Sequence, residues 1–199
     1  LPSAIAAYIT FHACCAAPPS IALVLPRNDP FARVLDFHFS RIGHRVLCFH
    51  STADCLSALP HENISLFVVD YAIEDADDLV RRIKCSPETS LLSVILLFPG
   101  GKDPERADTL RICGDEHLAH PFDVYTLLSI TEEELKRRRL NGTIRQRVCF
   151  QFPTDENEIE SAASLASELF TVSGLDQEKQ VAINAAFREA VLNAAQHGN

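Results

Sequence analysis

The chain is 199 residues long, 47% hydrophobic and 23% charged, with a formal net charge of −9. That composition is globular, and the negative charge argues against a general nucleic-acid binder and against anionic membrane surfaces. No apolar run is long enough to span a bilayer, and the apolar stretch at residues 4–17 lacks the basic flank of a signal peptide.

In chain order, residues 1–20 are an Ala-rich extension ending in Ala17-Pro18-Pro19-Ser20, without recognisable chemistry. Residues 21–25 are the first buried strand, followed by a turn at Pro26-Arg27-Asn28. Asp29-Pro30 opens a helix, with Asp as N-cap and Pro at the first helical position, and Gly43 closes it. Residues 45–49 are a second strand, and Ser51 caps a short helix that Pro60 stops. Residues 65–70 are a third strand, almost wholly apolar until it ends in the carboxylate of Asp70. A helix over 75–84 carries acids in its first turn and bases in its last, as the macrodipole favours. Residues 91–98 are a fourth apolar strand, 104–113 a helix that Gly114 ends, 116–120 a short fifth strand, and 122–139 one long helix. This alternation predicts an α/β fold, a doubly wound five-stranded parallel sheet of flavodoxin-like order. A carboxylate just past a buried strand sits where such sheets put their chemistry, which singles out Asp70.

Three local patterns support a closer reading: Leu66-Phe67-Val68-Val69-Asp70, Ile42-Gly43-His44 before the second strand, and His120-Pro121-Phe122 after the fifth. Together they resemble a response-regulator receiver domain, over roughly residues 21–136 with the domain itself at 21–122. The resemblance implies that Asp70 is the phosphoacceptor and that a cognate histidine kinase is a partner. Phosphoryl transfer to a carboxylate needs a divalent cation on the donor's oxygens. The family holds Mg²⁺ with two acids after the first strand, and here Arg27 and Asn28 stand there. Asp29, which doubles as a helix cap, and Asp70 remain as a weak metal site. The family's Thr or Ser after the fourth strand aligns with Phe98, and its Lys before the Pro with His120. A guanidinium at Arg27 would be held against Asp70 as a bidentate ion pair. The expectation is a degenerate site, a pseudo-receiver, against the alternative of a working phosphoacceptor. His120 reads as a hydrogen-bonding loop residue rather than a base.

Residues 123–145 are the long helix and a linker that Asn141-Gly142 breaks. Six bases and no acids lie between Lys136 and Arg147, read as a solvated linker or as a signalling or dimerising helix. Residues 147–152 form a strand, and Asp155-Glu156-Asn157-Glu158 starts a helix running to about residue 172. From Asp155 to Glu178 there are seven acids and no bases, which suggests that this helix packs against the basic linker. Asp176 caps the last helix.

That helix carries Phe187-Arg188-Glu189-Ala190-Val191-Leu192-Asn193 and ends in His197-Gly198-Asn199. The stretch 187–199 resembles the N box of the histidine-kinase-like ATPases, most closely the serine kinases acting on anti-sigma-factor antagonists. The resemblance covers residues 146–199 and implies the start of an incomplete α+β ATPase domain. Glu189 and Asn193 are four apart and share a helix face. The amide oxygen of Asn193 is a hard ligand suited to nucleotide-bound Mg²⁺, and Glu189 can orient or deprotonate an attacking hydroxyl. The glycine-rich segments of that superfamily are not within these residues, so ATP and Mg²⁺ are expected as cofactors only of a longer chain. The bland alternative is an Ala-rich core helix. The seven cysteines are scattered without a Cys-x-x-Cys, and read as small buried hydrophobes in a reducing cytoplasm.

The combined expectation is a cytoplasmic bacterial signal-transduction protein whose receiver-like domain regulates an ATPase or serine-kinase module. Its partners would be a histidine kinase or an anti-sigma-factor antagonist, with a homodimer left open and no nucleic acid or membrane. The first rival is a non-enzymatic scaffold that binds a partner through its fourth helix and fifth strand. The second is a small α/β enzyme with Asp70 as nucleophile, disfavoured because no base or metal pair accompanies Asp70.

Overall fold

The computed structural model describes residues 20–27, 29–140 and 146–197. The extension before residue 20, Asn28, the Asn141-Gly142 break, and Gly198 and Asn199 at the end of the N-box stretch lie outside the described residues. In chain order the elements are β1 (Ser20–Val24), α1 (Pro30–Arg41), β2 (Arg45–Phe49), α2 (Thr52–Ala58), β3 (Ile64–Asp70) and α3 (Ala76–Cys85). They continue as β4 (Ser93–Phe98), β5 (Arg111–Ile112), β6 (Glu116–Ala119), α4 (Val124–Leu140), β7 (Phe150–Gln151), α5 (Glu156–Val172) and α6 (Gln177–His197).

The main sheet is parallel, in the order β2-β1-β3-β4-β6, as expected for a doubly wound flavodoxin-like sheet. Its central strands β1, β3 and β4 are buried along their whole length, which is why they read as unbroken apolar runs. The helix starts follow local chemistry. Asp29 Oδ1 accepts from the Phe31 amide at 2.9 Å, Ser51 Oγ from Asp54 at 3.1 Å, and Asp155 Oδ1 from Glu158 at 3.2 Å. After α1, Gly43 takes φ +90°, the left-handed turn that returns the chain towards β2.

Side chains alternate between two cores, one on each face. One joins Ile21, Leu23, Leu66, Val68, Ile95 and Leu97 of the sheet to α1 and α4. The other joins Ala22, Val24, Phe67, Val69, Val94 and Leu96 to α2 and α3 and, unexpectedly, to Leu165 of α5.

That last contact corrects the sequence reading. The expected helix over residues 104–113 does not form; turns and the short strand β5 occupy the stretch. Its backbone groups are satisfied from far along the chain. β5 pairs antiparallel with β7, the Cys113 amide donates to Cys149 O at 2.8 Å, and the Leu110 amide donates to Glu158 Oε2 at 2.6 Å. The sheet face left bare by the missing helix is covered by α5, with Leu165 inside that core and Val148, Phe150 and Leu169 packed against it. Gly114 then passes so close to β4 that a Cβ there would meet Val94 O at 2.7 Å. Asp115, next in the chain, is pinned by the buried Lys84, whose Nζ lies 2.9 Å from its Oδ2, and accepts from the Val94 amide at 2.9 Å.

Among the described residues the carboxylates of the acidic helix pair with Arg81 of α3, at 3.8 Å from Glu168, and with Arg188 of α6, through Glu160; residues 141–145 of the basic linker expected to face this helix lie outside the described residues.

Candidate functional site

The loops at the C-terminal ends of the parallel strands bring most of the singled-out receiver positions to one edge. Asp70 is the last residue of β3, paired in register with Leu97 of β4 and only 7% exposed. Its Oδ1 accepts the Ala72 amide at 2.7 Å, which fixes the carboxyl as the chain turns away from the strand. Burial pushes the Asp70 carboxyl above the usual carboxylate range. The Ala72 hydrogen bond and the charge of His120 oppose that rise, and the charge of Asp29 adds to it. Asp29, Asp70 and His120 are therefore electrostatic neighbours. Asp29 also keeps its capping role, one oxygen being bound to the Phe31 amide.

Arg27 departs from expectation. It is exposed in the turn after β1, and among the described residues no ion pair joins it to Asp70. The guanidinium stays in water, where it loses nothing to desolvation. Asn28 lies outside the described residues. His120 is exposed after β6 and its amide donates to Phe98 O at 2.9 Å. Its ring tilts against Phe122 at 4.4 Å between centroids, and the His120–Pro121 bond is cis.

Phe98 at the end of β4 is buried and stacks on Tyr71, the residue after Asp70, with centroids 4.4 Å apart and planes 24° apart. Two cations attend the pair. Lys102 Nζ is 4.8 Å from the Tyr71 ring centroid, and the Arg111 guanidinium is 5.1 Å from that of Phe98. Arg111 Nη2 also donates to Gln151 Oε1 of β7 at 2.6 Å and to Pro104 O at 2.5 Å. Tyr71 donates its hydroxyl to Asp77 at 2.6 Å, and burial followed by that carboxylate pushes the phenol strongly upward. Sequence reasoning missed Tyr71, Lys102 and Arg111. An aromatic residue directly after Asp70 was a usable signal; nothing local marked Arg111, because its strand forms only against β7.

Glu189 and Asn193 are far from this edge in the chain, on α6. Both are exposed and lie one helical turn apart. No residue of α6 is fully buried; Phe187 is its anchor, ringed by Phe150 at 6.1 Å and Phe170 at 6.2 Å.

No family model matches the chain. Two curated proteins of Pseudomonas aeruginosa are similar to it. The transcriptional regulatory protein GltR is 26% identical over 117 residues, which is 58% of this chain and 48% of that protein. The transcriptional activator protein PfeR is 30% identical over 129 residues, 62% of this chain and 40% of that protein. The chain thus spans less than half the length of either. Among solved structures, a response regulator from Chloroflexus aurantiacus superposes with a TM-score of 0.50 at 20% identity, covering 60% of this chain and 99% of that one. The signal receiver domain of a histidine kinase from Syntrophus aciditrophicus gives a TM-score of 0.52 at 18% identity, covering 63% and 96%. The fold is that of these solved receiver domains, and the sequence is similar to the two transcriptional regulators over about three-fifths of this chain.

Proposed function

We propose that this chain is part of a bacterial signal-transduction protein in which the domain around Asp70 acts as a pseudo-receiver regulating a C-terminal ATPase-type module. The observation that supports it is the setting of Asp70. The position is that of a phosphoacceptor, but an exposed Arg27 stands where the resemblance implies a metal-binding acid, and the buried ring of Phe98 where it implies a Thr or Ser. Among the described residues the carboxylates that would meet a Mg²⁺ here are Asp70 and Asp29, each with one oxygen already held by a backbone amide. Among the described residues no third His, Cys, Asp or Glu completes a cluster with them. No phosphoryl-transfer step is assigned to this donor set. Signalling would instead pass through binding partners and through the contacts of the Asp70 edge with β7.

The ATPase part of the reading draws on α6. Val181, Ile183 and Leu192 are exposed along it, and apolar side chains left open on a helix of this length suit packing inside a larger fold. We read Glu189 and Asn193 as the N-box acid–base and Mg-nucleotide residues of that fold.

The test of the pseudo-receiver is intact mass after incubation with Mg²⁺ and a small-molecule phosphodonor. The expected result is no added phosphate. A gain of one phosphate that disappears in Asp70→Asn would return the domain to the working receivers.

A further inference from the structure

Cys113 and Cys149 are 36 positions apart in the chain and face each other in the fold. The register of the β5–β7 ladder is Arg111 opposite Gln151 and Ile112 opposite Phe150. One step further it sets Cys113 opposite Cys149, and the Cys113 amide donates to Cys149 O at 2.8 Å. The two thiols are in hydrogen-bonding contact, and both are free. In an antiparallel hydrogen-bonded pair the Cα atoms stand about 5.5 Å apart, inside the span that a disulfide bridges without moving the backbone. Cys149 is exposed and Cys113 half-buried, so an oxidant reaches the first and the second is held against it. Cys48 and Cys85 are accessible too, but no partner cysteine faces either among the described residues.

We propose that Cys113 and Cys149 form a reversible disulfide under hydroperoxide, stapling the segment that begins at β7 to the receiver-type sheet. The Cys149 thiolate attacks the O–O bond of the peroxide, forming the sulfenic acid and releasing hydroxide, which is protonated to water. The Cys113 sulfur then attacks the sulfenic sulfur, the S–S bond forms, and the Cys113 proton leaves with the sulfenic hydroxyl as a second water. Overall the two thiols give up two protons and two electrons, and the peroxide is reduced to water. Burial, then Cys149 beside it, pushes the Cys113 thiol up to about 12, which disfavours it as the group that attacks the peroxide. The staple closes at the end of the β5–β7 ladder, where the turns replacing the expected helix meet the C-terminal segment. It would therefore hold Leu165 and the rest of α5 on the sheet face.

The experiment treats the whole chain with stoichiometric hydrogen peroxide, then determines intact mass and maps peptides without reduction. The expected product has lost two hydrogens, links the Cys113 and Cys149 peptides, returns to the starting mass with dithiothreitol, and melts at a higher temperature than the reduced protein. In Cys113→Ser, Cys149 should stop at a sulfenic acid that a 1,3-diketone traps. A wild-type map in which Cys149 joins any other cysteine overturns the proposal, as does one in which Cys149 proceeds unlinked to sulfinic acid. A melting temperature lowered by the link overturns the native staple. The wild-type map reads the outcome even if a serine variant fails to fold.

Discussion

Asp70 sits where the apolar interior of the sheet gives way to its loops, and its protonation bears on stability. Its folded-state pKa is raised, chiefly by burial. The folded state therefore favours the neutral acid. That contribution is fully present below the ordinary carboxylate pKa and is lost as pH rises through the raised one. At neutral pH the ionised carboxylate is a cost. Asp70→Asn keeps an acceptor for the Ala72 amide and removes the charge, so it should raise the melting temperature at pH 7. The gain should shrink as pH falls and vanish below the usual carboxylate range. Melting curves of both proteins across that span check it, and a pH-independent difference would assign the effect to shape instead. At this scale Asp70, Asp29 and the capping residues were legible, because their signals are local. The side-chain position of Arg27 was not. An exposed guanidinium in a turn has water as a competing partner, and sequence does not weigh that against an ion pair. The pairing of Cys113 with Cys149 was hidden for the same kind of reason: it depends on a ladder between distant segments.

Helices and strands were legible wherever their partners lie close in the chain. α1, β2, α2, β3 and α3 came out within a residue or two of expectation. The failure at residues 104–113 is instructive. Apart from Leu110, Ile112 and Cys113 the stretch is mostly turn-formers and charges, and its amides found acceptors on Cys149 and Glu158. A long-range ladder outbid a weak helix. At the other end of the chain, α6 was legible as a helix, and its proposed chemistry can be tested in a protein extending beyond residue 199. Asn193→Ala should weaken Mg-nucleotide binding, since Ala offers no oxygen to a hard cation. Glu189→Ala should leave binding intact and slow phosphoryl transfer by roughly 10²–10⁴-fold, the scale of one positioned acid or base. Nucleotide titration and single-turnover transfer separate the two phenotypes; two variants that both behave like wild type would leave α6 as scaffolding.

Across the whole molecule, α5 belongs to the same core as β3 and β4. Leu165 is 3% exposed within that core, and Leu165→Ala should cost about 2–5 kcal/mol, the range for a buried leucine truncated to alanine. The loss should appear in one cooperative transition. Hydrogen exchange at the β4 amides should accelerate together with exchange in α5. If α5 and α6 melted alone while β4 stayed protected, the shared core would be weaker than its burial implies.

The covering of one sheet face by a helix some seventy residues downstream of β4 also sets the order in which the molecule can be made. A chain emerging from the ribosome at about 5–20 residues per second completes β6 and α4 seconds before residue 172 is free. Throughout that interval Val94, Leu96 and Ile112 have no α5 over them. A sheet that must wait for a distant helix has higher contact order than one roofed by its own crossover, and closes more slowly. The nascent protein thus carries a timed apolar window on one face, open until its own C-terminal half arrives.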